Sequence, residues 1–112
     1  MKDDRLYLIH ISECIGRIQE YVCGGHEAFM ASTLIQDAVV RNLQTLAESS
    51  RRLSDGTTAK HPQVDWRSIG GFRNVLVHDY LGIDFERVWD VVEKDLPGLK
   101  VQIAALLQAL GK

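Results

Sequence analysis

Cysteine is scarce in this chain, with only Cys14 and Cys23 in 112 residues. Two thiols make no disulfide framework, and without a secretory signal they are expected to stay reduced, as in the cytosol. No apolar run approaches the ~20 residues of a membrane span. The start is charged (Lys2, Asp3, Asp4, Arg5) and does not resemble a leader. A cytoplasmic protein with no membrane contact is therefore expected. An excess of positive charge is also missing. The net charge is −2, which excludes a protein that coats nucleic acid through phosphate contacts and leaves only a local patch for such binding. Internal repeats and low-complexity stretches are absent. No segment carries the alternation of a strand.

Apolar residues make up 46% and charged residues 25% of the chain, an ordinary globular composition. The length fits one domain, residues 1–112, with an adequate but not generous core. Support from a partner surface or from self-association is expected. The charges are uneven. Residues 51–87 carry Arg51, Arg52, Lys60, Arg67, Arg73 and Arg87, and the first half is acidic.

Five helical segments emerge. Leu8, Ile11, Ile15, Ile18 and Val22 recur at spacings of three and four, one stripe of a helix from about Asp3 or Asp4 to Val22. Asp3 and Asp4 suit its N-terminal end, and Gly24-Gly25 stops it. A helical turn near His26–Ala31 follows. Ser32 or Thr33 caps a second long helix with the stripe Ile35, Val39, Leu43, Leu46, Ser50 and Leu53. Asp55 to Val64, holding Gly56 and Pro62, reads as the longest loop. Asp65 caps a third helix with Trp66, Ile69, Arg73, Leu76 and Tyr80 on one stripe and Gly82 as its stop. Asp84 caps a fourth, with Phe85, Val88, Val92 and Leu96 facing inward. Pro97 opens a fifth, with Leu99, Ile103, Leu106 and Leu110. Short connections favour antiparallel neighbours. The expected fold is all-α, an up-and-down bundle of four main helices plus a shorter one.

The third helix breaks two rules. Arg73 stands where its stripe calls for Leu or Ile, and burying a guanidinium without partners is expensive. It must snorkel, meet a carboxylate such as Glu48, or line a polar cleft. Gly70 and Gly71 each cost roughly 1 kcal/mol against Ala in a helix interior. They are tolerable where another helix or a second subunit packs closely.

The run Arg73-Asn74-Val75-Leu76-Val77-His78-Asp79-Tyr80 resembles the signature of the HEPN superfamily and, within it, the HepT-like toxins: an Arg, four residues, a His, one residue, a Tyr. Asn74, the polar residue after the Arg, fits as well. The similarity extends to Leu46–Ser54 (LAESSRRLS) and Trp66–Val88 (WRSIGGFRNVLVHDYLGIDFERV). The resemblance implies a two-fold dimer of helical bundles in which Arg and His of both subunits meet in a composite cleft. It implies RNA cleavage without a metal or cofactor. It also implies neutralisation by an MntA-type nucleotidyltransferase antitoxin, in some systems through AMP attached to the motif tyrosine, here Tyr80.

Elementary chemistry agrees. His78 can exchange a proton near neutral pH. Arg73 can hold a phosphate and stabilise the charge of its transition state. RNA supplies its own nucleophile, the 2′-hydroxyl. Geometry resists at one point. Five residues of helix turn the chain by about 500°, so Arg73 and His78 sit ~140° apart. Either the helix distorts or ends near His78, or two subunits assemble the site.

Each residue also has a plainer explanation. Arg73 makes a structural ion pair with a carboxylate such as Glu48, His78 is hydrogen-bonded at a helix end, and Tyr80 is core with its hydroxyl at the rim. The three together, inside the resembling block, favour a shared site over these separate explanations. Asn74 and Glu48 are candidates for substrate binding or for orienting the others, and Asp79 is left outside the set. His10 and Cys14 are spaced for one helix face but are too few for a metal. Arg51, Arg52 and Lys60 are candidates for steering RNA or simply a solvated face. The rival function is a non-catalytic helical partner subunit that binds a nucleotide or substrate for a nucleotidyltransferase. A purely structural dimerisation domain leaves the Arg–His–Tyr run unexplained.

Overall fold

The computed structural model describes residues 4–76 and 82–110, with the backbone only for 73–76. The first helix, α1 (Asp4–Tyr21), follows from its stripe: Leu8, Ile11, Ile15 and Ile18 are fully buried, with Cys14 beside them. Gly25 takes φ 93, a conformation that favours glycine, and turns the chain into α2 (His26–Ala31). Ser32 Oγ then accepts from the Ile35 amide at 3.1 Å. This N-cap opens α3 (Thr33–Arg51), which buries Val39, Leu43 and Leu46.

The expected loop from Asp55 to Val64 is in part a helix, α4 (Asp55–Lys60). A six-residue helix is not stable by propensity alone, and its support comes from the far end of the sequence. The Asp4 carboxylate accepts from the Ser54 amide at 3.1 Å and from Ser54 Oγ at 2.6 Å, and also from the Thr57 hydroxyl. Ser54 Oγ in turn caps the Thr57 amide. Gly56 and Pro62 suggested a loop because nothing local reveals this tie.

Asp65 opens α5 (Trp66–Leu76) as expected, accepting from the Ser68 amide at 3.0 Å and the Ser68 hydroxyl at 2.7 Å. After Gly82, with φ 100, Asp84 accepts from the amides of Glu86 and Arg87 at the start of α6 (Phe85–Asp90). The expected separate fourth and fifth helices are one continuous rod. A π turn, Val91–Asp95, joins α6 to α7 (Leu96–Leu110). The Leu96 amide bonds Val91 O, five residues back. Pro97 accounts for the wider turn: it has no N–H for Glu93 O, and its ring would crowd that carbonyl in a regular α-helix.

In the bundle, α3 lies between α1 and α5, and α1 also packs on α7. Three ties fix antiparallel neighbours: Asp4 to Ser54 at 2.6 Å, Lys100 Nζ to Gln19 Oε1 at 3.0 Å, and Gln102 Nε2 to Gln63 O at 2.8 Å. The short α2 is seated by Phe29, which is fully buried against the rings of Phe85 and Trp89. The buried Gln36 amide donates to Phe29 O and Met30 O, each at 3.1 Å, so the end of α2 leaves no orphan carbonyl there. The fold is all-α, and no strand occurs among the described residues.

Candidate functional site

Of the candidate residues, Arg73 and Asn74 lie in the last described turn of α5. His78 and Tyr80, and Asp79 between them, lie outside the described residues. The described part of the molecule supplies the frame. On one side, α5 is pinned by its Asp65 cap and by Trp66 Nε1, which donates to His61 O at 3.0 Å. On the other, α6 is pinned to α2, where His26 Nε2 lies 2.8 Å from Glu86 Oε1 and its ring meets Trp89 edge-on at 5.3 Å.

Along α5, Ile69 and Phe72 are buried, at 1% and 4% exposure. Arg73 comes one turn after Ile69 and immediately after Phe72, so its backbone position adjoins the core-facing stripe. By register, Arg67, Gly70, Gly71 and Asn74 share the opposite side of the helix. A Cβ added at Gly70 or Gly71 would meet nothing within 4 Å among the described residues. The expectation that another helix of the same chain packs on these glycines therefore fails there. Among the described residues, space lies over them.

Glu48 is exposed on α3, and its described partners are Arg51 at 3.8 Å and Arg52 at 3.6 Å. Both pairs are long and solvated and contribute little. Arg51 and Arg52 are thereby partly neutralised, and Lys60 stands exposed at the end of α4.

Two hollows mark the described surface. One, of about 200 Å³, is lined by His10, Glu13, Cys14, Arg17 and Thr45, between α1 and α3. It brings His10 and Cys14 together as their spacing suggested. Burial pushes the Cys14 thiol above its ordinary pKa, with the Arg17 charge pulling the other way. Among the described residues no group of three His, Cys, Asp or Glu converges as metal ligands would. The other hollow is a slot of about 210 Å³ between α5 and the start of α7. Ile69, Phe72 and Leu99 form its apolar wall, and Asp65, Ser68, Lys94, Asp95 and Gln102 its polar rim. Sequence reasoning missed this slot. Its residues come from two distant segments; Ile69 and Leu99 had stood out only as core positions and Asp65 only as a cap. The Ser68 hydroxyl and amide hold the Asp65 carboxyl below its ordinary pKa, so the rim carries negative charge at neutral pH.

A family model described as ribonuclease HepT-like matches residues 11–106, a span that includes Arg73, His78 and Tyr80. A protein of Caldanaerobacter subterraneus subsp. tengcongensis, with a provisional RNase name, is 33% identical over 96% of this chain and 97% of its own length. A protein of Thermococcus cleftensis named "Probable ribonuclease HepT" is 34% identical over 84% of this chain and 86% of its own. A Methanocaldococcus jannaschii protein, named for a gamma-glutamylcyclotransferase together with a provisional RNase, is 35% identical over 99% of this chain. The chain spans only 50% of that relative's length. No solved structure matches the chain significantly.

Proposed function

The chain belongs to the HepT-like ribonuclease family, and from that premise we propose that it is a metal-independent endoribonuclease toxin whose partner is a nucleotidyltransferase antitoxin. The observation that carries this reading is the family match across residues 11–106, with the whole Arg73–His78–Tyr80 run inside it. The all-α bundle is consistent with it.

The chemistry assigns each residue a role. His78 takes the proton from a 2′-hydroxyl, whose oxygen attacks the adjacent phosphorus. The P–O5′ bond breaks, and a protonated group returns a proton to the leaving oxygen. The products are a 2′,3′-cyclic phosphate and a 5′-hydroxyl. Arg73 holds the phosphate and stabilises the charge that builds on its oxygens. Asn74 and Glu48 are the candidates for binding substrate or orienting these two. A two-fold dimer resolves the ~140° between Arg73 and His78 by supplying two of each around one cleft. That no described residue covers Gly70 and Gly71 supports close approach of a second molecule to α5.

His78→Ala is expected to leave a folded protein that neither cleaves RNA nor arrests growth. Wild-type cleavage is expected to survive a chelator. Full activity in the variant, or activity lost in EDTA and restored by metal, would refute the mechanism.

AMP attached to Tyr80 by the antitoxin would fill the cleft with negative charge and repel RNA phosphate. Mass spectrometry after co-expression with a neighbouring nucleotidyltransferase is expected to find an AMP-mass adduct on Tyr80. An unmodified tyrosine in a neutralised complex would mean control by contact alone.

A further inference from the structure

The segment from Ser54 to Gln63 has no apolar hold on the core. Leu53 before it and Val64 after it are buried, at 5% and 2% exposure. Between these anchors no side chain is buried, and Ala59 and Pro62, its apolar residues, are exposed. The segment holds α4 and the turn after it, and a helix of this length has little stability of its own. Polar clasps tie its two ends to the bundle. At the start, the Asp4 carboxylate of α1 accepts from the Ser54 amide and from the Ser54 and Thr57 hydroxyls. The same Ser54 oxygen caps the Thr57 amide, so releasing Asp4 also loosens the N-cap of α4. At the finish, Gln102 of α7 donates to Gln63 O at 2.8 Å. Lifting such a segment exposes little apolar surface, which makes it a low-cost local opening. The opening also reaches past the segment's end. His61 O accepts from Trp66 Nε1 at 3.0 Å, and Trp66 is the first residue of α5.

We propose that residues 54–63 are a strap that lifts as one unit from the folded bundle and, in lifting, frees the first turn of α5, the helix that carries Arg73 and Asn74. Leu53 and Val64 stay seated and confine the opening to the residues between them. The Asp4 and Gln102 clasps set how often it opens. The start of the Arg73 helix is thereby placed under the control of a carboxylate on α1, through α4 and the His61 carbonyl. The device does not depend on what the chain cleaves or binds.

The test is hydrogen exchange of the 15N-labelled full chain in the native state, across a series of low denaturant concentrations. The Thr58 and His61 amides, bonded to Ser54 O at 3.2 Å and Thr58 O at 3.3 Å, are expected to share one opening equilibrium with the indole N–H of Trp66. That opening should exceed the opening of the Ile15 and Leu43 amides in the core by at least about ten-fold and should hardly change with denaturant, because little surface is exposed. Asp4→Ala is expected to raise it about ten-fold, the size of a hydrogen bond to a charged group. Gln102→Ala, at the opposite clasp, should also speed the Thr58 amide, which simple fraying of α4 would not do. Three results would each overturn the proposal: strap amides with the protection and denaturant slope of the core, a Trp66 indole that opens separately from them, or unchanged Thr58 exchange in Gln102→Ala. The wild-type series decides between local and global opening even if a variant fails to fold. Cleavage is not the readout, so an inactive chain tests the strap equally well.

Discussion

Cys14 and Cys23 differ in environment although each is a free thiol. Cys14 is packed under the α1 stripe at 1% exposure, whereas Cys23 is open to water. Thiolates react and thiols do not, and burial holds Cys14 protonated past its ordinary value near 9.0. A thiol reagent at pH 8 is expected to label Cys23 alone, with Cys14 reacting only after denaturation. The sign of the pH effect follows. Above about 9 the unfolded chain ionises Cys14 while the folded chain keeps the proton, so stability falls as pH rises through that range. Equal labelling of both thiols in the native protein would place Cys14 outside the core. At this scale the sequence was partly legible. Leu8, Ile11, Ile15 and Ile18 announced their burial by spacing. Nothing in the spacing announced that Asp4 would cross the bundle to bind Ser54 and Thr57, because that contact spans about fifty positions.

Among the elements, α5 combines strong and weak signals. Of its stripe, Ile69 is buried as expected, whereas the buried Phe72 was not on it. Its Asp65 cap was plain from the sequence, as were the Asp84 cap and Ser32 as one of two offered caps. The π turn was not, because Pro97 fits the first turn of a new helix as well as it fits a widened turn in a continuous one. Nor was the slot, which exists only once α5 and α7 are neighbours. The glycines of α5 can be tested directly. Alanine at Gly70 meets nothing in the described chain, so on helix propensity Gly70→Ala should stabilise the isolated protein by about 0.5–1 kcal/mol. If a second molecule approaches α5 at that point, the same methyl group should weaken dimerisation or RNA cleavage. The expected outcome is a higher melting midpoint with reduced activity. A variant both more stable and fully active would remove the glycines from any interface.

For the whole molecule, the open matter is whether one bundle suffices. The Arg73-to-His78 spacing could not decide it from the sequence, because a bent helix end and a second subunit satisfy it equally. His78 lies outside the described residues, so complementation must decide. Arg73→Ala and His78→Ala are each expected to be inactive as purified single variants. Co-expressed under separate tags and isolated as the mixed pair, they retain one Arg73 and one His78 in total, on different chains. In a cleft shared across a two-fold axis these two surviving groups can face each other, and a substantial fraction of wild-type cleavage should return. In a site confined to one chain, every site in the mixed pair lacks one of its two groups, and activity should stay at the level of the single variants. Recovery that depends on the mixed species, and disappears when the two variants are purified apart and assayed below the concentration at which they associate, would tie cleavage to the assembly.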